Sequence, residues 1–396
     1  MLACLSTSIR APAVVVAFVI FCGCSSDSDG DSPGADGAAG AMFEAGPSDA
    51  RSDAASSDSE SSDAQADVTS QPALAKTLRA TGFFQSVAAD GSLVLADGVR
   101  EYTPRYPLWS DGAEKKRWVY LPPDSKIDTS DPNHWSFPVG AKFWKEFAIA
   151  GKRVETRLVE RYGLGQDDFL YATYWWKSGD AGTPADAELV PTTDRVLDVN
   201  GSDHDIPSGL DCHRCHDPLQ EHVLGFGTLQ LTPPPAPAPA PAGVTIQTLS
   251  AEGWLTEPMP SGAQFPGNDR LTRDALGYLH ANCGNCHNDA PGVPFPDPKM
   301  NFRVSVGQTA EQTGAYVTAL NVRLVKFEHP YDPPILYRIV GGNPSASAVS
   351  FMMSLRGTGN APAADQMPPL ATQKADTVGV QTVNDWIKTL PALPDW

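Results

Sequence analysis

Two five-residue stretches of the chain place thiols and imidazoles at one fixed spacing. Residues 212–216 read Cys-His-Arg-Cys-His, and residues 283–287 read Cys-Gly-Asn-Cys-His. A separation of three residues brings both thiols of a stretch to the same side of a helix, and the next residue adds an imidazole. Each stretch can therefore present two sulfur atoms and one nitrogen atom to a single bound group.

Cys-x-x-Cys-His is the attachment signal of a c-type haem. Two complete copies predict two covalently bound haems, each with its iron on the histidine of the motif. The predicted thioether residues are Cys212, Cys215, Cys283 and Cys286, and the predicted proximal iron ligands are His216 and His287. A structural zinc site, a thioredoxin-like redox pair and a simple disulfide are the alternatives that use Cys-x-x-Cys.

An iron atom that only carries electrons needs a sixth ligand. For the second haem we predict Met367, which precedes a proline pair in Gln-Met-Pro-Pro-Leu, because a polarizable Met sulfur suits iron. Met352 and Met353 are its rivals, in a predicted helix that packs on the core. For the first haem we predict His222. The other candidates for the first haem are His204, Met259, His280 and Met300.

The first 23 residues have the pattern of a bacterial lipoprotein signal peptide. Arg10 precedes the apolar stretch 11–21, which is too short to span a membrane, and Cys24 follows Gly23 as the predicted lipidated residue. Ordinary signal-peptidase cleavage is the alternative. Of the seven cysteines, cleavage removes two and lipid takes Cys24. The four that stay are those of the two motifs, so no cysteine is left for a separate disulfide.

Charge is concentrated near the amino terminus. The net charge is −18, which disfavours a nucleic-acid partner, since phosphate binding needs basic patches. Residues 25–72 hold eleven acidic residues, one basic residue and few apolar ones. Such a segment cannot bury enough surface to fold, so residues 24–72 are predicted to be a disordered acidic tether.

The rest of the chain is predicted to hold two domains. Residues 73–231 show short alternating strands and suggest a β-rich, antiparallel sandwich-like domain that carries the first motif. Residues 232–243 are rich in Pro and Ala and are predicted to be an extended linker. A long loop within one continuous fold is the alternative. Residues 244–396 are predicted to form a mainly α, class I cytochrome c-like domain with an insertion.

Helical patterns flank the second motif. Asn268 is a predicted cap for a helix that leads into Cys283, and Asp376 or Thr377 is a predicted cap for the final helix. The insertion is predicted to contain strands near 301–306 and 317–327. The fold class is therefore multi-domain, with a β-rich part before a mainly α part.

The chain resembles a family of exported bacterial diheme c-type cytochromes with a β-rich N-terminal region. The most specific stretches are PLWSDGAEK (107–115) and LHANCGNCH (279–287), and QMPPL (366–370) is a further match. The resemblance covers residues 74–396. It implies two covalent haems and an electron-transfer assignment, and the Pro-Ala segment departs from the family pattern.

Electron transfer is the predicted function, between redox partner proteins in the periplasm or at the cell surface. The chain is expected on the periplasmic face of a bacterial membrane, the outer membrane being favoured. One alternative is a diheme peroxidase or oxidase with one open iron and Glu221 or His222 beside it. Another is a haem-bearing module that binds a carbohydrate or a protein through its tryptophans. The basic run 115–117 is interpreted as a solvated strand edge or turn.

Overall fold

The structure is a computed structural model of the chain. It describes residues 70–177, 185–191, 193–235, 241, 243–260, 262–290, 300–325, 334–357, 365–370 and 372–393. The predicted signal peptide, the predicted lipidation site Cys24 and most of the predicted tether lie outside the described residues. Within those ranges, no helix has the length and apolar character that crossing a membrane requires.

A six-stranded antiparallel sheet dominates the first part of the described chain. Its strands lie side by side in chain order. They are β3 (Arg100–Tyr102), β4 (Glu114–Tyr120), β5 (Lys142–Ile149), β6 (Lys152–Arg161), β7 (Phe169–Trp175) and β8 (Glu188–Leu189), and a separate hairpin pairs β1 (Phe84–Val87) with β2 (Leu93–Leu95). The strands predicted from alternation between residues 134 and 178 are confirmed as β5, β6 and β7.

Alternation along the strands gives the sheet two different faces. One face carries Trp118 and Trp144 and packs against the β1–β2 hairpin. The other face carries Phe143 and Tyr171, which pack with apolar residues from the region 223–255. Four of the six tryptophans between residues 109 and 176 are buried in these layers, as the core-packing interpretation predicted: Trp118, Trp135, Trp144 and Trp176.

Six α-helices are spread through the described chain that follows the sheet. They are α1 (Gly209–His216), α2 (Thr228–Leu231), α3 (Ile246–Ala251), α4 (Arg270–Asn282), α5 (Ala348–Ser354) and α6 (Thr377–Thr389), with 3-10 turns at Arg79–Thr81, Val199–Gly201, Ala310–Gln312 and Pro344–Ala346 and a π-helix at Ala315–Ala319. Helices α4 and α6 pack closely at Gly379, where an added Cβ would lie 2.2 Å from the Tyr278 ring. This contact anchors the final helix on the helix that leads into the second motif.

The caps predicted for two helices can be compared with the structure. Asp269, rather than Asn268, caps α4 by accepting a hydrogen bond from the Thr272 amide at 2.8 Å. Asp376 caps α6 through the Gly379 amide, as predicted. The strands predicted near 301–306 and 317–327 do not occur in the described part of those ranges. Isolated bridges and the π-helix take their place.

The predicted linker does not separate two compact units. Residues 66–396 cluster as one unit by their internal contacts. Val244 pairs with Tyr102, and Leu255 pairs with Ile127, so the chain that follows the Pro-Ala segment returns to the β-rich part. The boundary expected at 232–243 therefore lies within one compact body, which agrees with the alternative of a loop in a continuous fold.

Candidate functional site

The first motif lies on a short, strongly capped helix. Ser208 and Asp211 form a capping box at the start of α1, each side chain bonding to the other residue's backbone amide. Asp211 also accepts two hydrogen bonds from the Arg195 guanidinium, at 2.7 and 2.9 Å. One turn of this helix carries Cys212 and Cys215, so both thiols are presented from a fixed base.

Both thiols and His216 line a large cavity, which we call the first cavity. Its empty space, counting the open mouth, is about 1510 Å³. The thiols of Cys212 and Cys215 are partly exposed, and no disulfide joins them to each other. The opposite wall is the sheet face that carries Phe143, Tyr171 and several basic residues. The cavity is apolar on most of its wall and has its cationic groups on one side.

The His216 imidazole is positioned as a neutral metal ligand. Its Nδ1 lies 2.6 Å from the backbone carbonyl oxygen of His222, so Nδ1 donates the hydrogen bond and Nε2 keeps its lone pair. Burial, together with the charges of Lys145 and Arg157, lowers the pKa of His216 to about 4. In a histidine that binds a metal through one ring nitrogen, the other ring nitrogen usually donates such a hydrogen bond, and this fixes the tautomer.

Three basic residues form a row across the sheet at this cavity. Arg117, Lys145 and Arg157 are directly opposite one another on β4, β5 and β6. Glu155 pairs with Arg157 at 2.5 Å. Among the described residues, no carboxylate pairs with Arg117 or Lys145, although Arg117 is buried. Like charges opposite one another are unfavourable, so this row favours an anionic group in the cavity.

The interpretation of residues 115–117 as a solvated edge is therefore wrong for Arg117. That residue lies in the interior of β4 and lines the first cavity, whereas Lys116 is exposed on the other face. Lys145 was not identified from the sequence. The alternation of Phe143, Lys145 and Phe147 on one face of β5 is the pattern that could have indicated it, because a lysine between two buried aromatic residues faces the interior.

The second motif follows α4 directly. The helix ends at Asn282, and the amide of His287 bonds to the carbonyl of Cys283 at 2.8 Å, which continues the turn through the motif. Burial raises the pKa of the Cys283 thiol to about 12. Asp269 caps the start of α4, and the apolar face of the helix packs in the core. Together they fix the position of the helix end, where the second motif begins.

A second cavity of about 1360 Å³, counting its mouth, is lined by Cys283, Cys286, His287 and Met367. The structure thus brings together the four residues that the sequence predicts for the second haem. Met300, Met352 and Met353 line the same cavity, so Met367 as the sixth ligand stays a prediction. Arg356 also lines it, and its buried Nε has no hydrogen-bond partner in the described chain.

The two cavities lie side by side. The thiols of Cys215 and Cys286 are neighbours across the two motifs, and each is the largest influence on the pKa of the other, lowering that of Cys215 and raising that of Cys286. Asn282, Pro368 and Pro369 line both cavities. The loop after Met367 is held against the β-rich part, because Asp111 accepts hydrogen bonds from the Gln373 and Lys374 amides at 2.8 Å.

His222 is not positioned as the sixth ligand of the first haem, and this prediction needs correction. The backbone carbonyl of His222 accepts the hydrogen bond from Nδ1 of His216. The His222 ring therefore lies on the same side of the proposed haem as His216, which is the proximal side. The ring stacks on Phe169 and its Nδ1 contacts the Tyr171 hydroxyl at 2.9 Å. His222 does not line the first cavity. A φ of 55° at this residue turns the chain so that its carbonyl, rather than its imidazole, meets His216.

The other sequence candidates are dispersed, and only His204 lines the first cavity. Its Nε2 lies 2.7 Å from the buried Glu155 carboxylate, so that nitrogen is already bonded. Met259 accepts a hydrogen bond from Thr228, and Met300 lines the second cavity. His280 is buried, with its Nδ1 accepting from the Val304 amide at 3.0 Å.

Glu221, named with His222 for the enzymatic alternative, lines a separate polar pocket that His280 shares. Its carboxylate pairs with Arg303 and lies 3.2 Å from Nδ1 of His134. Burial raises the pKa of Glu221, but Arg303 and His134 outweigh burial and hold it at about 2. Glu221 is therefore a paired, ionised group that joins residues 134, 221 and 303, and it does not line the first cavity.

The groups around each cavity match the needs of a c-type haem. Two thiols can form the thioether bonds, an imidazole can bind iron, and buried cations can neutralise the porphyrin's carboxylates. Over the ranges that the structure describes, no cluster of three or more His, Cys, Asp or Glu residues could hold a bare metal ion. No family model, curated protein or solved structure matches this chain.

Proposed function

We propose that this protein is an exported diheme c-type cytochrome that carries electrons between redox partner proteins. The observation that supports the proposal best is the adjacency of the two cavities, which share Asn282, Pro368 and Pro369 in their walls and each contain one complete Cys-x-x-Cys-His set. Two cofactors held this close can exchange electrons within one chain. The resemblance of the sequence to exported diheme cytochromes points the same way.

When bound, each haem supplies reversible one-electron exchange at its iron. The chain's own residues bind, orient and shield the two groups. Cys212 and Cys215 would attach one haem at α1, and the hydrogen bond from Nδ1 to the His222 carbonyl fixes the orientation of His216. Pro368 and Pro369 form a wall common to both cavities. Held in this way, the sites undergo little rearrangement on electron exchange.

The proposed setting follows from the amino terminus. Lipid on Cys24 would attach the chain to the periplasmic face of a bacterial membrane, with the acidic segment as a tether. A redox protein in the periplasm or at the cell surface would then be the partner. Globomycin treatment of a producing bacterium tests the anchor, since inhibition of lipoprotein maturation would leave the precursor uncleaved and heavier.

A spectroelectrochemical titration of the purified full-length protein tests the function. The proposal predicts two one-electron steps, low-spin haem in both oxidation states and no peroxide turnover. A stable high-spin signal together with peroxide turnover would favour the diheme peroxidase alternative instead. The matched control is the Cys283→Ala/Cys286→Ala variant, which is expected to retain one haem and a single redox step.

A further inference from the structure

The first cavity offers His216 on one side, and His222 lies behind that residue. Of the sequence candidates, only His204 lines this cavity, and its ring is held at Nε2 by Glu155. The cavity wall contains a further nitrogen donor that is not held by a carboxylate and can have a free lone pair, the amine of Lys145. Arginine does not provide one, since its guanidinium stays protonated in proteins.

Lys145 has no hydrogen-bond acceptor in the described part of the chain. Its Nζ lies 4.8 Å from the centre of the Phe147 ring, and no carboxylate reaches it. Arg117 and Arg157 flank it directly on the neighbouring strands. Glu155, the nearest carboxylate in the row, is occupied by Arg157 and His204. The amine lines the first cavity and also the polar pocket that holds Glu221, and the Phe147 ring is the contact that it makes in the described chain.

Lys145 stands on the same face of the sheet as the residue beneath His216. The His216 ring packs on Tyr171 of β7, with ring centres 5.0 Å apart. Tyr171 pairs with Val159 of β6, and Lys145 of β5 pairs with Arg157, so Lys145 lies two strands from Tyr171 and two residues farther along. Two strands are about 9.6 Å at the usual strand spacing. Arg157 and Val159 line the cavity between them, and a group bound over β6 would lie between His216 and Lys145.

We propose that Nζ of Lys145 is the sixth ligand of the iron in the first haem. The assignment rests on the proposed function, because it requires a haem in this cavity. It gives the two sites different axial pairs, His and Lys at the first haem and His and Met at the second. A nitrogen donor and a thioether set different potentials, so the chain would hold one lower-potential and one higher-potential haem side by side.

The test uses the full-length protein matured in cells with a working haem-ligation system. Haem content is measured first, and two haems per chain are expected in every variant below. Electron paramagnetic resonance and near-infrared magnetic circular dichroism then report spin state and axial ligands. We expect two low-spin haems in the wild type, and one high-spin haem of the two in Lys145→Ala, with low spin restored by added imidazole.

Three matched variants make the result specific. Lys116→Ala removes the adjacent exposed lysine on the other face of the sheet, and it is expected to stay fully low-spin. His204→Ala removes the rival donor and is expected to stay low-spin too. Lys145→Met keeps the length of the side chain and is expected to fold even if the alanine variant does not. Its near-infrared charge-transfer band should differ from that of the wild type.

The results that would overturn the Lys145 assignment differ from the result that would refute the proposed function. Two low-spin haems with wild-type bands in the Lys145 variants would overturn the assignment, as would loss of low spin in His204→Ala. A change of potential alone, without a change of spin state or ligand band, would show that Lys145 acts only as a charge and would also overturn it. A wild-type chain without haem would instead refute the proposed function, and that result is known before any variant is compared.

Discussion

Cys215 and Cys286, seventy-one positions apart in the sequence, are close enough that each thiol is the largest influence on the pKa of the other. Their proximity joins the end of α1 to the turn after α4, where the two motifs meet. Each residue is the second cysteine of its own motif. Two haems attached at these motifs would therefore lie side by side.

This proximity predicts how the chain behaves when haem is withheld. Protein exported to an oxidising compartment without haem ligation is expected to form a disulfide between Cys215 and Cys286, because these two thiols are neighbours and each most strongly influences the pKa of the other. Non-reducing peptide mapping would detect the cross-linked pair. Bonds only within motifs, such as Cys212 with Cys215, would show that these two thiols are not neighbours.

Removal of the buried charge of Arg117 should lower the potential of the first haem. A nearby positive charge stabilises the reduced iron, so Arg117→Leu is expected to shift that one-electron equilibrium about tenfold, or about 59 mV downwards. Potentiometric titration measures the change. Lys116→Leu, which removes an exposed charge next to it in β4, should leave both potentials within a small fraction of that shift. Equal shifts in the two variants would contradict the placement of Arg117 at the cavity.

Loss of Met367 should act on the second haem alone. Met367→Ala is expected to remove the thioether ligand, to lower the potential of that haem and to produce a high-spin signal. The control is Met300→Leu, at another methionine of the same cavity. Visible spectra report the spin state, and redox titration reports the potential of the second haem, in both variants. If Met300→Leu, and not Met367→Ala, produced these changes, the ligand would be misassigned.

The buried pair of Glu221 and Arg303 predicts acid sensitivity. The pKa of Glu221 is lowered from 4.5 to about 2, so its stabilisation is complete above pH 4.5 and is lost as pH falls towards 2. Breaking such a pair costs about 3 kcal/mol, so Glu221→Gln should lower the free energy of unfolding by about that amount at pH 6 and by little at pH 2. Urea titrations followed by circular dichroism at both pH values measure it.

The control for that experiment is the exposed pair of Arg100 and Glu252. Both side chains are about 40% exposed, and such pairs contribute under about 1 kcal/mol. Glu252→Gln should therefore change the free energy of unfolding little at either pH. If Glu221→Gln lowered the free energy of unfolding equally at both pH values, Glu221 would contribute through its packing and not through its charge.

The sequence predicted local features well and long-range placement less well. Strand alternation located β5, β6 and β7, and Asp376 located the start of α6, while the start of α4 was predicted one residue early, because both signals depend on neighbours in the chain. His222 was misassigned because its position depends on a local turn with positive φ. Lys145 was missed because its role depends on the register of three strands. The continuous fold across 232–243 likewise depends on pairing of distant segments such as Tyr102 with Val244.

The most direct test of the account is the intact mass of the protein, purified from cells that attach c-type haems, under denaturing conditions. Two covalent haems per chain are predicted, with the loss of one haem in Cys212→Ala/Cys215→Ala and of the other in Cys283→Ala/Cys286→Ala. A wild-type mass that equals the polypeptide alone, with four free or disulfide-bonded cysteines or with bound zinc, would contradict the account.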